Sequence, residues 1–165
     1  MKRRTSCRHA VTCLAILCGA LACTVRSTAR DTAAASSPGY DSALAARLGA
    51  DEYGMRNYVM AFLKPGPNRG QDSATAADLQ RAHLANIRRL AGEGKLLLAG
   101  PFLDDGPLAG IFVFDVATVD EARALTESDP AVQAGRLTME LHPWYGSAAL
   151  RDLAAIDATI TKRHY

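Results

Sequence analysis

The sequence predicts an α+β domain in which the order β-α-β-β-α-β builds a four-stranded antiparallel sheet carrying both main helices on one side. Three observations predict it. Four segments have the composition and length of strands, two longer segments carry helical start signals, the first with an apolar stripe, and an Asp-Asp-Gly turn separates the middle two strands. At 165 residues, 48% hydrophobic and 22% charged, the chain has room for one domain with a sizeable core and an appendage.

The first strand is expected over Arg56–Lys64, where both alternating sets are apolar: Tyr58, Met60 and Phe62 against Val59, Ala61 and Leu63. A strand apolar on both faces must be covered twice. Lys64 to Gly70, rich in Pro and Gly, is a loop. Thr75 with Asp78 reads as a capping box for a helix running to about Gly92, with Leu79, Ile87 and Leu90 as its stripe. His83 falls on that stripe and points inward.

Leu96–Phe102 and Gly110–Val116 are the second and third strands, joined as a hairpin through Asp104-Asp105-Gly106. Thr118 with Glu121 caps a second helix that stops near Ser128, because Asp129 precedes Pro130. Leu137–Trp144 is the fourth strand, and Ala148 to about Lys162 reads as a closing helix. Two β-α-β units with right-handed crossovers give the ferredoxin-like arrangement. The helices cover one face of the first strand, and a second copy of the sheet is the expected cover for the other, which predicts a homodimer.

Residues 1–22 read as a signal peptide: a basic start at Lys2, Arg3 and Arg4, an apolar run from Ala10 to Ala22, and Ala20-Leu21-Ala22 before Cys23. The run is short of the ~20 residues a membrane-spanning helix requires. Ala-Leu-Ala-Cys also resembles a bacterial lipoprotein signal, in which Cys23 is acylated and tethers the protein to a membrane; that pattern usually has Leu where Ala20 stands. Either way the expectation is an exported protein, periplasmic or anchored to the envelope. Residues 23–54, rich in Ala, Ser, Thr and Gly, are expected to be a flexible linker, with Asp41–Leu48 as a short helix inside it, and 55–165 the domain.

The net charge of +2 misleads, because Lys2, Arg3, Arg4, Arg8, Arg26 and Arg30 precede the first acidic residue, Asp31, and without those six cations the rest carries −4. A mildly acidic body argues against a nucleic-acid partner. All four cysteines, at 7, 13, 18 and 23, lie in the leader segment, so the domain has no disulfide and no thiolate nucleophile. Neither a phosphate-binding glycine loop nor a Ser-His-Asp signature is present.

His83 is the sharpest candidate for chemistry, since an imidazole exchanges protons near neutrality; the competing reading is a core histidine bonded to backbone. Asp129 is the matching carboxylate, although Asp before Pro130 is also a favoured helix N-cap. The roles are compatible, because one oxygen can cap while the other fixes the imidazole tautomer. Glu140 and His142 share a strand face with Thr138 and Trp144, either lining a pocket or metal site with His83 or forming a solvated face. Gly100-Pro101 marks a bulge, a close approach of backbone to a ligand, or a strand end. Arg88 and Arg89 read as solvated or paired helix charges.

Together the strand Tyr58–Lys64, the helix bearing His83, Leu98-Ala-Gly-Pro-Phe102 followed by Asp-Asp-Gly, the Ser128-Asp-Pro-Ala131 corner and His142-Pro-Trp-Tyr145 resemble the YciI-like, or YCII-related, domain family over about 56–149. The resemblance implies a dimeric α+β barrel with a His-Asp pair in a cleft, here His83 and Asp129. It also implies kinship with a dehydrochlorinase acting on a chlorinated hydroxyquinol and, more distantly, with muconolactone isomerases. The export signal departs from the usual cytoplasmic member.

Two functional classes follow. The first is a lyase or isomerase without cofactor or metal, in which His83 acts as acid or base on a small cyclic or aromatic substrate, Asp129 orients it, and Phe62, Gly100, Pro101, His142 and Trp144 line the substrate site. The second is a non-catalytic exported module that binds a small ligand or partner. A metal-assisted site of His83, Glu140 and His142 is the remaining alternative.

Overall fold

A computed structural model describes residues 39–163, so the expected signal peptide, Cys23 and most of the expected linker lie outside the described residues. Strand β1 (Met55–Pro65) is central and pairs antiparallel with both β3 (Gly110–Phe114) and β4 (Leu137–Ser147), while β2 (Leu96–Pro101) pairs antiparallel with β3. The sheet order β2-β3-β1-β4 is the ferredoxin-like one.

Register decides what faces the helices. Phe114 and Phe112 oppose Val59 and Ala61, and Leu141 and Met139 oppose Ala61 and Leu63, so these side chains share one face. Helices α2 (Ser73–Gly92) and α3 (Val119–Glu127) close over that face, and Leu90, Leu96 and Ala122 complete the core. The opposite face carries Tyr58, Met60 and Phe62 with Glu140, His142 and Trp144.

The helix starts follow local capping chemistry. Asp72, rather than the Thr75–Asp78 pair, caps α2: its carboxylate accepts from the backbone N–H groups of Ala74 and Thr75 and from the Thr75 hydroxyl. The Thr75 side chain is thereby used up as a donor, and Asp78 pairs with Arg81 instead. Thr118 and Glu121 form the expected reciprocal box on α3. The strand irregularity falls between Leu96 and Leu98, upstream of Gly100, and Pro101 is the plain end of β2.

The folded body begins before residue 55. Helix α1 (Ser42–Leu48) is capped by Asp41, ends on the left-handed Gly49 and packs on the 3-10 turn Ala148–Asp152, so 39–54 belongs to the domain rather than to a linker. Arg47 bonds both oxygens of Asp152, and Asp115 joins Arg56 at 2.8 Å to Arg151 at 2.9 Å. The closing helix is shorter than expected, a 3-10 turn followed by α5 (Leu153–Ile160). This segment packs on β1 and β2, and Tyr58 and Val113, which register places away from α2 and α3, are almost fully buried. The chain thus covers one end of the second sheet face itself, which the apolar pattern of α5 alone did not reveal.

Candidate active site

His83 lies mid-way along α2 and is 7% exposed. Asp129 is fully buried at the corner between α3 and α4 (Pro130–Gln133), where its backbone is extended and Pro130 takes the first helical position. Its Oδ1 accepts from Ala131 N–H at 2.9 Å, which caps α4. Its Oδ2 lies 2.7 Å from His83 Nδ1 and accepts from Asn86 Nδ2 at 3.2 Å. One carboxylate therefore caps a helix and grips an imidazole across 46 residues of sequence.

The Asp129 carboxyl feels opposing effects. Burial pushes it up, but the bond and charge of His83, then the Ala131 N–H and the Asn86 amide, outweigh burial and hold it below the usual carboxylate range. An ionised Asp129 accepts only, so His83 Nδ1 is the donor, and a neutral ring then carries its free lone pair on Nε2. Phe112 stacks on the ring, with centroids 6.0 Å apart and planes 15° from parallel.

A cavity of about 350 Å³ opens beside that ring, between α2 and the β2–β3 hairpin. Leu63, Leu84, Ile87, Phe112 and Leu137 make it apolar, the backbone of Gly100, Pro101, Ala109 and Gly110 closes one side, and His83 and Gln80 supply its polar side chains. The hairpin is held tightly there, for a Cβ added to Gly110 would stand 2.5 Å from the carbonyl oxygen of Gly100. A Cβ on Gly100 would meet open space. The volume sits at the small end of ligand pockets.

The structure brings His83, Gly100 and Pro101 to this cavity, with Asp129 directly behind. Phe62, His142 and Trp144 are on the opposite face of the sheet: Phe62 meets His142 edge to face at 5.5 Å, and Trp144 packs against Tyr58 at 5.8 Å. There His142 Nε2 lies 2.8 Å from Glu140, which also pairs with Lys64, so Glu140 and His142 share no site with His83. Both partners hold the Glu140 carboxyl below its ordinary value. Among the described residues, no three His, Cys, Asp or Glu side chains cluster as metal ligands would. Sequence reasoning missed Gln80, Leu84 and Asn86; the signal for Asn86 was an amide on an apolar helical stripe three residues from His83.

The model of the YCII-related domain matches residues 58–144. The chain belongs to the YCII-related domain family. The matched span of this YCII-related domain runs from β1 to β4 and includes both His83 and Asp129. No curated protein matches the chain. Among solved structures it is similar to 5-chloro-2-hydroxyhydroquinone dehydrochlorinase from Burkholderia phenoliruptrix in complex with 2,5-dihydroxybenzoquinone. The two are 21% identical over 52% of this chain and 92% of that one, with a TM-score of 0.40.

Proposed function

We propose that the protein is a lyase or isomerase working by general acid/base catalysis on a small cyclic or aromatic substrate, without a cofactor, with His83 as the proton-transfer group and Asp129 as its orienting partner. The observation that carries this reading is the 2.7 Å His83–Asp129 bond at the wall of an apolar cavity. Asp129 takes Nδ1 and leaves Nε2 as the site that accepts a proton from a bound substrate and returns it to another atom. Elimination and isomerisation need nothing more than that transfer and a pocket that orients the ring. The apolar lining favours an uncharged or weakly acidic ring over a strongly anionic one, because among the described residues no Lys or Arg side chain lines the cavity.

We propose, independently of the chemistry, that the protein is exported, periplasmic or anchored to the envelope, and forms a homodimer. The basic and apolar start of the chain supports export, the Ala-Leu-Ala-Cys sequence supports acylation of Cys23, and half-buried Met60, Phe62 and Ile111 on the second sheet face support a second copy as cover. Mass spectrometry of the envelope-extracted protein tests the first two, and sedimentation velocity the third.

The catalytic reading is tested by incubating wild type and His83→Gln with a panel of small cyclic ketones, phenols and halogenated phenols, following substrate loss by NMR. Turnover by wild type and its loss in a folded His83→Gln variant supports it. Binding without turnover favours the ligand-binding module, which the predominantly apolar cavity also suits.

A further inference from the structure

The His83–Asp129 pair does not stand alone on α2. His83, Asn86 and Arg89 follow at intervals of three along one stripe of the helix, and each touches the next member of a chain of polar contacts. Asn86, 7% exposed, has its Nδ2 3.2 Å from Asp129 Oδ2 and its Oδ1 2.7 Å from Arg89 Nη2. The same Nη2 reaches Ser128 Oγ at 3.0 Å, and Ser128 immediately precedes Asp129. Arg89 Nη1 is held by Glu93 at 2.8 Å, and Ser128 Oγ donates to Leu125 O at 2.7 Å.

An amide has a donor end and an acceptor end, and half a turn of its terminal torsion exchanges them at little steric cost. Only the donor end suits an ionised carboxylate; a carbonyl oxygen turned on Asp129 would set acceptor against acceptor. A guanidinium is purely a donor, so at 2.7 Å Arg89 Nη2 donates to the oxygen end of the Asn86 amide and would oppose its NH2 end, donor against donor. Arg89, 46% exposed in its side chain, thus selects from outside the core which end of Asn86 faces the buried acid.

We infer that Asn86 is a positioning residue for the His83–Asp129 pair, and that Arg89, braced by Glu93 and Ser128, sets the orientation in which Asn86 does so. Asn86 supplies one of three donors to a carboxylate that has no exposure, alongside His83 and the Ala131 N–H. That keeps Asp129 ionised and acceptor-only behind His83, the state in which Nδ1 stays engaged and the lone pair of a neutral ring is left on Nε2. The titratable group in contact with Asp129 is His83 on α2; Arg89 acts on it through Asn86, and Ala131 on α4 contributes an uncharged amide.

The inference deepens the catalytic reading above and rests on it for its purpose, but its test needs no substrate. In full-length protein with carboxyl-labelled aspartate, the Asp129 resonance, assigned by its loss in Asp129→Asn, is titrated with acid by NMR. In Asn86→Leu the titration moves to higher pH, because a donor to the ionised form is gone. Arg89→Gln moves it the same way by less, and Arg89→Lys, which keeps a cationic donor, restores it. An unchanged titration in Asn86→Leu, even with a lower melting temperature, overturns the inference by showing that Asn86 only packs. Should Asn86→Leu fail to fold, the exposed Arg89→Gln and Arg89→Lys pair decides alone, and equal titrations in wild type and Arg89→Gln overturn it. The titration reports nothing on turnover, so loss of the catalytic reading, seen with His83→Gln, is distinguishable from loss of this one.

Discussion

Two histidine–carboxylate pairs occupy opposite faces of one sheet at nearly equal distance, His83–Asp129 at 2.7 Å and His142–Glu140 at 2.8 Å. Their surroundings differ. The first pair is 8% and 0% exposed in its side chains, its acid has three donors, and a cavity adjoins it; both members of the second are 47% exposed in the single chain, and its acid also pairs with Lys64. In the single chain water screens the second pair and competes for it, so its geometry has little energetic consequence there. In the first, the same contact holds a ring in one orientation beside a space from which water can be displaced. Distance alone therefore does not distinguish the two pairs; burial, saturation of the acid and an adjoining cavity do, and the proposed proton transfer rests on those three.

The comparison breaks most sharply in turnover. On any substrate the protein converts, His83→Gln is expected to lower kcat about 100-fold or more, the scale of general acid/base catalysis, while His142→Gln leaves kcat unchanged. Steady-state kinetics on the two variants decides which face does the chemistry. Next in size is stability. Asp129→Ala strands the His83 and Asn86 donors and uncaps α4, and is expected to cost about 3 kcal/mol in urea titration. Glu140→Gln is expected to leave the unfolding midpoint where it is.

A smaller effect concerns the cavity's hairpin wall. Gly110→Ala forces a methyl against the Gly100 carbonyl at 2.5 Å and the Pro101 Cα at 3.1 Å, both backbone, and is expected to cost about 1–3 kcal/mol in the same titration. Gly100→Ala, whose Cβ would enter open space on the Ile111 face, away from the cavity, is expected to leave stability nearly unchanged. The finest distinction is in acid and salt. The folded-state carboxyl of Asp129 is held below its ordinary 3.8, so its contribution is complete above that value and disappears as pH falls through the lower folded value. Acid unfolding followed by circular dichroism should therefore shift when Asp129 is replaced by Asn. High salt should weaken the Glu140 pair and leave the Asp129 pair intact.

Much of this was legible in the residues. The stripe Leu79, His83, Ile87 and Leu90 placed the imidazole inward, Asp129-Pro130 placed a carboxylate at a helix start, and Thr118 with Glu121 marked α3 correctly, because each signal is local and obeys a single rule. The cap of α2 was misread because Asp72 and Thr75 both satisfy the rule, and their mutual hydrogen bond settles the matter only in three dimensions. The face of Phe62, His142 and Trp144 was not legible either. Both faces of β1 are apolar, so alternation separates Phe62 from Leu63 without saying which one meets the helices. The cavity was beyond reach, since its walls come from α2, β1, β2, β3 and β4 at once.

The central claim is that His83 Nε2 removes a proton from a ligand held in this cavity, and deuterium exchange tests it most directly. Cyclohexanone and related small cyclic ketones are incubated in D2O with wild type, His83→Gln or His142→Gln, and incorporation next to the carbonyl is followed by NMR. The account predicts exchange above the buffer rate with wild type and His142→Gln, and loss of that excess with His83→Gln. Equal exchange in wild type and His83→Gln, for a ketone shown to bind, would contradict it.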